Sequence, residues 1–151
     1  MKISIIGYGY IGQGYHKVFP DAFLYDPFKM LGSKEEANKA DLAVVCVPTP
    51  MKEDGSCDIS AVEEVVSWLE TPLILIKSTI PPGTTDYLRN KYGKRICFSP
   101  EYMGESTYYT PPWKYPDPKD PTSHTFQIIG GSKEDADEII GIMITYLAPN
   151  K

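Results

Sequence analysis

The chain has 151 residues, of which 42% are hydrophobic, 12% aromatic and 23% charged. This length suits one domain around a single hydrophobic core, and the composition excludes collagen-like, disordered and disulfide-scaffold proteins. Lys and Arg total 15 against 20 Asp and Glu, a net charge of −5 without any basic block, so we expect no nucleic-acid partner.

Apolar runs typical of strands alternate with helical patterns along the chain. The predicted strands cover residues 2–6, 22–25, 42–47, 73–76, 95–98 and 124–129, and the predicted helices cover residues 10–19, 33–40, 60–69, 84–92 and 133–147. Ser60 and Glu63 form a capping box at the start of the third helix. The alternation predicts an α/β, Rossmann-like doubly wound domain over residues 1–151, with a mainly parallel sheet and helices on both faces.

A glycine-rich loop follows the first predicted strand. The segment Gly-Tyr-Gly-Tyr-Ile-Gly that begins at Gly7 matches the GxGxxG pattern and opens the first helix. Gly7 permits the tight turn, Gly9 lets the backbone approach a pyrophosphate, and Gly12 allows the helix to pack closely on the strand. Tyr10 and Ile11 begin the helix, whose N–H groups and positive dipole end attract phosphate. The loop predicts a dinucleotide site; the alternative is a glycine-rich turn without a ligand.

An acidic residue ends the second predicted strand. Asp26 lies about 20 residues beyond the loop, where a carboxylate binds the ribose hydroxyls and repels a 2′-phosphate. The sequence therefore favours NAD over NADP, although Lys29 lies close enough to weaken that preference. The alternative is that Asp26 is a solvated turn residue before Pro27.

Three further segments each follow a predicted strand. They are residues 45–50 (Val-Cys-Val-Pro-Thr-Pro), 77–85 (Lys-Ser-Thr-Ile-Pro-Pro-Gly-Thr-Thr) and 99–105 (Ser-Pro-Glu-Tyr-Met-Gly-Glu). Because ligands bind beyond the carboxyl ends of parallel strands, we expect these segments to line one crevice that faces Gly9. With the glycine loop they resemble, in order, the N-terminal NAD-binding domain of the UDP-glucose/GDP-mannose 6-dehydrogenase family.

The resemblance implies a chemistry and a set of site residues. Members of the family oxidise the primary alcohol of a nucleotide sugar to a carboxylate with two NAD, through a thiohemiacetal and a thioester on a cysteine. Thr79 would position a water or the substrate oxygen, and Glu101 would move a proton during hydrolysis. The alternatives are turn-forming residues and first-turn helix carboxylates. The implied contacts to NAD come from Val47, Pro48, Thr49, Ser78 and Glu105.

Two departures from the family concern parts that are missing. Nothing in the sequence matches the family's C-terminal cysteine motif, which implies an incomplete enzyme whose catalytic lobe is lost or supplied by a separate chain. Too few residues separate Asp26 from Leu42 for the usual helix–strand–helix segment, so we expect one strand or helix to be absent. The alternative function is a stand-alone module that binds NAD or a nucleotide sugar without oxidising it. The Pro-Thr-Pro and Pro-Glu segments argue against a hydroxy-acid dehydrogenase of the same fold.

The third departure is a Pro- and Tyr-rich loop at residues 107–123. Its five prolines make it stiff and non-helical. The aromatic side chains suit one of three roles: covering the domain's own core, closing over a sugar nucleotide, or contacting a second copy in a homodimer. These side chains are Tyr108, Tyr109, Trp113 and Tyr115.

The compartment and the metal content are predicted from the apolar runs and the cysteines. No apolar run approaches the roughly 18 residues that a membrane span needs, and the first residues lack a secretion leader. Cys46, Cys57 and Cys97 form no metal-binding spacing with each other or with either histidine. We therefore expect a cytoplasmic protein with no membrane contact, no metal and three inert thiols.

Overall fold

In the described part of the chain, five short strands form one parallel sheet. The computed structural model describes residues 1–103, 120–124 and 126–147. The strands are β1 (Ile3–Ile6), β2 (Phe23–Tyr25), β3 (Leu42–Val45), β4 (Leu73–Ile76) and β5 (Ile96–Phe98). They lie in the order β2-β1-β3-β4-β5, and every neighbouring pair is parallel. The sheet is buried on both sides: every residue of β3 and β4 is at most 1% exposed, as expected of continuous apolar strands.

Helices cover both faces of the sheet. They are α1 (Tyr10–Val18), α2 (Lys34–Ala37), α3 (Ser60–Trp68), α4 (Thr84–Tyr92) and α5 (Lys133–Leu147), with 3₁₀ turns at Pro27–Lys29 and Pro121–Ser123. On one face α1 and α5 bury Tyr15 and Ile139 against the sheet. On the other, α2, α3 and α4 bury Ala37, Val66 and Leu88. The predicted doubly wound α/β architecture is therefore confirmed.

The order of the strands places a crevice between β1 and β3. From β1 the chain moves first outward to β2 and then back across to β3, so the connections diverge at this point. In doubly wound sheets ligands bind at such a switch point, beyond the carboxyl ends of the strands. Gly7 follows β1 there, and Cys46 follows β3.

The predicted shortening between β2 and β3 is confirmed. Residues 27–41 contain one 3₁₀ turn and the four-residue helix α2, and none of them forms a strand. Ser33 caps α2 by accepting a hydrogen bond from the Glu36 N–H at 3.2 Å. The sheet therefore has a single strand, β2, on the outer side of β1.

Two predicted local features are wrong. Ser60 is the first residue of α3 rather than its cap; the N-cap is Ile59, which provides no side-chain hydrogen bond. The Asp58 carboxylate accepts a hydrogen bond from the Ser60 N–H at 3.0 Å. Residues 124 and 126–129 form no strand. This segment meets the sheet through one antiparallel bridge, in which Gly130 and Phe98 exchange backbone hydrogen bonds of 2.8 Å.

Within the described ranges, none of the helices combines the length and apolar character needed to cross a bilayer.

The Pro- and Tyr-rich loop lies mostly outside the described residues, and so does Glu105. The described end of the loop is the 3₁₀ turn Pro121–Ser123, which Asp120 caps by accepting a hydrogen bond from the Thr122 N–H at 3.0 Å. Pro121 and Ser123 are buried, and the turn packs against α1. This part of the loop therefore covers the domain's own core, while the roles predicted for its aromatic residues stay predictions.

Candidate cofactor site

The glycine loop has the backbone geometry that its three glycines predict. Gly7 has φ +89°, and a Cβ there would lie 2.7 Å from the carbonyl oxygen of Cys46. A Cβ at Gly12 would overlap the carbonyl oxygen of Gly7, whereas a Cβ at Gly9 would meet no atom within 4 Å. The first and third glycines are thus required by the fold itself. The second leaves open space beside the backbone, which is where a ligand could approach.

Helix α1 presents its positive end to this open space. Gly9 is the N-cap, it provides no side-chain cap, and the first turn contains no acidic residue. No carboxylate of the first turn therefore neutralises the helix dipole, which favours an anion at this point.

Asp26 joins the end of β2 to the glycine loop. Its side chain is buried, and Oδ2 accepts a hydrogen bond from the Tyr8 N–H at 2.8 Å. Oδ1 accepts from the N–H groups of Phe28 at 3.0 Å and Lys29 at 3.2 Å. The Lys29 ammonium donates to the Tyr8 carbonyl at 2.6 Å. The lysine that could have favoured a 2′-phosphate is thus bound to the loop, and the carboxylate is held rigidly at the mouth of the crevice.

A crevice of about 890 Å³ brings together most of the predicted site. This volume lies within the ordinary range for small-molecule sites. Gly12 lies behind the loop, where it packs on Gly7. The predicted residues that line the crevice are Gly7, Gly9, Tyr10, Ile11, Asp26, Val47, Pro48, Thr49, Ser78, Thr79 and Glu101. Four further residues without a predicted site role also line the crevice: Phe28, Cys46, Lys77 and Met103.

The loops after β3 and β4 are tied together beneath the crevice. The buried Ser78 hydroxyl donates to the Val47 carbonyl at 2.7 Å, so this predicted cofactor contact also has a structural role. The Cys57 thiol donates to the carbonyls of Thr79 at 3.6 Å and Thr49 at 4.0 Å. Thr79 itself is exposed, which leaves its side chain accessible from the crevice.

Glu101 lies on the crevice floor next to a buried lysine. Oε1 of Glu101 accepts hydrogen bonds from the N–H groups of Tyr102 and Met103, both at 2.7 Å. Oε2 receives no hydrogen bond from the described residues and lies 3.6 Å from the Lys77 ammonium. Lys77 follows β4 and is 2% exposed. Its sequence signals were its place directly after an apolar strand and at the start of the 77–85 segment.

Burial shifts the pKa values of Lys77 and of the groups around it. It lowers the pKa of Lys77, while the negative charge of Glu101 acts in the opposite direction. Burial, followed by the charge of Glu101, raises the pKa of Tyr15 far above its usual value. Burial also raises the pKa of the Cys46 thiol to about 12. Cys46 lies just beyond β3 rather than inside it as predicted, but a protonated thiol is a poor nucleophile, so its predicted inertness is retained.

These features define a class of protein. A doubly wound parallel sheet with a glycine loop between its first strand and helix, and an acidic residue at the end of its second strand, is a dinucleotide-binding domain. The model of the UDP-glucose/GDP-mannose dehydrogenase family, NAD binding domain, matches residues 27–111. That match covers more than half of the chain, and the chain belongs to this family. The predictions of the family and of NAD as its cofactor are thereby confirmed.

Curated relatives match parts of the chain. UDP-N-acetyl-D-mannosamine dehydrogenase of Methanocaldococcus jannaschii is 48% identical over 64 residues, which cover 37% of this chain and 15% of the relative. UDP-glucose 6-dehydrogenase of Streptococcus pneumoniae is 27% identical over 146 residues, covering 70% of this chain and 37% of the relative. The chain thus spans well under half the length of these two relatives.

Solved structures show the same fold. UDP-D-ManNAc dehydrogenase from Pyrococcus horikoshii superposes with a TM-score of 0.71 at 19% identity, covering 97% of this chain and 45% of that one. A UDP-glucose dehydrogenase from Pyrobaculum islandicum gives a TM-score of 0.69 at 19% identity, covering 97% and 44%.

The family match begins after the glycine loop, so the case for the loop rests on its own geometry.

Proposed function

We propose that the crevice holds NAD. The pyrophosphate would lie at Gly9 and the start of α1, beside Tyr10 and Ile11, and the adenosine ribose at Asp26. The observation that carries this proposal is that the open space at Gly9 lies inside the crevice and at the N-terminus of α1, whose first turn has no acidic residue. The uncompensated end of α1 supplies the charge that an acidic chain otherwise lacks.

The remaining cofactor contacts come from the other strand ends. Val47, Pro48 and Thr49 after β3 and Ser78 after β4 line the same crevice. We assign them to the nicotinamide half of NAD, as the family resemblance implies, and we keep Glu105 as a proposed contact. Asp26 favours NAD over NADP, because its fixed carboxylate repels a 2′-phosphate and the Lys29 ammonium already binds the Tyr8 carbonyl.

Bound NAD would supply a hydride acceptor, and the chain's own residues would handle water and protons. Oε1 of Glu101 is held by two backbone N–H groups, whereas Oε2 has no hydrogen-bond partner among the described residues. We propose Oε2, which is closed to solvent in the ligand-free chain, as the atom at which a proton would be taken up or released. Thr79 is exposed at the crevice and would orient a water or a substrate oxygen.

The whole reaction needs a nucleophile that these residues do not provide. The Cys46 thiol has a pKa of about 12, and burial raises the pKa of Cys97 to about 11. The Cys57 thiol donates to two loop carbonyls. We propose that residues 1–151, with the 107–123 insertion, form the cofactor domain of a cytoplasmic nucleotide-sugar 6-dehydrogenase. Its catalytic cysteine would belong to a further lobe or a separate chain.

A second candidate is a binding module without oxidation. The short connection from Asp26 to Leu42, which lacks the usual strand, favours it, because a fragment of an ordinary enzyme need not be shortened internally. Such a module would bind NAD or a nucleotide sugar as a monomer or a homodimer.

Calorimetry separates these functions. The chain is titrated with NAD, NADP, UDP-glucose and UDP-N-acetylmannosamine, and NADH formation is followed with each sugar. The cofactor-domain proposal expects NAD binding, weaker NADP binding and no turnover unless a cysteine-bearing lobe is added. Binding of a nucleotide sugar without NADH formation, even after addition of that lobe, would favour the binding module. Failure to bind NAD would contradict the proposed cofactor site.

A further inference from the structure

A buried cation lies on the crevice floor, and the proposed cofactor contacts do not use it. The Lys77 ammonium donates to the Ser99 hydroxyl at 2.9 Å and to the Pro100 carbonyl at 2.9 Å. It also lies 4.7 Å from the centre of the Tyr15 ring. Lys77 follows β4, while Ser99 and Pro100 follow β5, so the lysine links the ends of two neighbouring strands. Lysines are almost never this deeply buried unless their charge is paired.

The charge that pairs with the Lys77 ammonium is the Glu101 carboxylate, but the two groups form no direct hydrogen bond. The distance of 3.6 Å between the Lys77 ammonium and Oε2 is longer than a hydrogen bond. The lysine therefore supplies a neighbouring positive charge without occupying Oε2. The other oxygen, Oε1, is held by the N–H groups of Tyr102 and Met103. The Glu101 side chain is 9% exposed and lines the crevice.

An apolar residue at position 77 would leave a nearly buried carboxylate without a countercharge, which is costly. Lys77 supplies that countercharge, and its hydrogen bonds to Ser99 and Pro100 hold the ammonium 3.6 Å from Oε2.

We propose that Lys77 is a positioning residue, which fixes the Glu101 carboxylate on the crevice floor without a direct hydrogen bond to Oε2. The use of that carboxylate in proton transfer rests on the proposed function. Its placement by Lys77 does not, and it can be tested on the ligand-free chain.

The first test compares Lys77→Met with the control Lys94→Met. Lys94 also donates to two carbonyls, of Val66 at 2.5 Å and Ser67 at 3.0 Å, but outside the crevice. The readout is the pair of backbone amide NMR signals of Tyr102 and Met103, which report on Oε1. We expect Lys77→Met to shift both signals several-fold more than Lys94→Met does. Equal shifts in the two variants would overturn the proposal.

A second measurement keeps Lys77 in place, in case Lys77→Met does not fold. The side-chain ammonium signal of Lys77 is titrated in the wild type and in Glu101→Gln. Cys46, Glu101 and Tyr15 are the titratable groups that face the ammonium. Because Glu101 opposes the effect of burial on the pKa of Lys77, its removal should lower the Lys77 titration midpoint. An unchanged midpoint would show that the two charges are not coupled.

A third measurement adds NAD to the wild type. If it fails to bind NAD, the proposed function fails, while the ligand-free signals still decide the positioning role.

Discussion

Replacing Gly9 with alanine tests NAD affinity separately from the stability of the fold. Gly9 has φ −75° and ψ −158°, a conformation that alanine adopts freely. The added Cβ would meet no protein atom within 4 Å. We therefore expect the free energy of unfolding to change by less than about 0.5 kcal/mol.

The same methyl group would occupy the space proposed for the pyrophosphate. Losing one hydrogen bond from the loop backbone to a charged phosphate costs about 1.5–3 kcal/mol. That corresponds to a roughly 10- to 150-fold rise in the NAD dissociation constant. Isothermal titration calorimetry measures this rise, and urea denaturation measures the stability.

Gly141→Ala is the matched control. A Cβ at Gly141 also meets no atom within 4 Å, but this residue lies in the middle of α5, and it does not line the crevice. Alanine there should stabilise the chain by about 0.5–1 kcal/mol and leave NAD affinity unchanged. Unchanged affinity in Gly9→Ala, or an equal loss in both variants, would refute the placement of the pyrophosphate.

Three further predictions concern the loop, the ribose site and a thiol. Gly12→Ala should lower the free energy of unfolding by about 2–4 kcal/mol, measured by urea denaturation, because its Cβ overlaps the Gly7 carbonyl. Asp26→Asn should reduce the preference for NAD over NADP at least about ten-fold in calorimetry, since the repelling charge is lost; an unchanged ratio would contradict the ribose assignment. The Cys46 thiol, with a pKa of about 12, is protonated at pH 8 and becomes a thiolate only as the pH rises towards 12. Peptide mapping should therefore show its alkylation by iodoacetamide to be about a thousand-fold slower in the folded chain than in urea. Similar rates in the two states would contradict the raised pKa of this thiol.

The sheet was predictable from the sequence because its strands are continuous apolar runs. The run at 73–76 is β4 with the same bounds, and the run at 42–47 contains β3. Gly93 correctly marked the end of α4, where it caps the helix in the left-handed conformation. In these elements the residues that are apolar in the sequence are the ones buried in the fold, so the sequence pattern predicts the element correctly.

The sequence-based predictions were wrong or incomplete where a residue's structure depends on contacts with residues far away in the sequence. Residues 124–129 have strand composition, but a strand needs a neighbour along its length, and in the described part of this segment the one backbone bridge to the sheet joins Gly130 to Phe98. The sequence does not predict that Lys77 is buried in the site, because lysine is ordinarily exposed. Its burial depends on Ser99, Pro100 and Tyr15, which come from other parts of the chain. Position along the sequence alone does not reveal such a contact.

The most direct test of the cofactor site is an NMR titration of the ligand-free chain with NAD, followed through the backbone amide signals. The account predicts saturable shifts of Gly7, Gly9, Asp26, Thr49 and Ser78. Signals of α5 residues outside the crevice, such as Gly141, should stay in place. Absence of saturable shifts, or shifts confined to residues outside the crevice, would contradict the proposal that this chain binds NAD between β1 and β3.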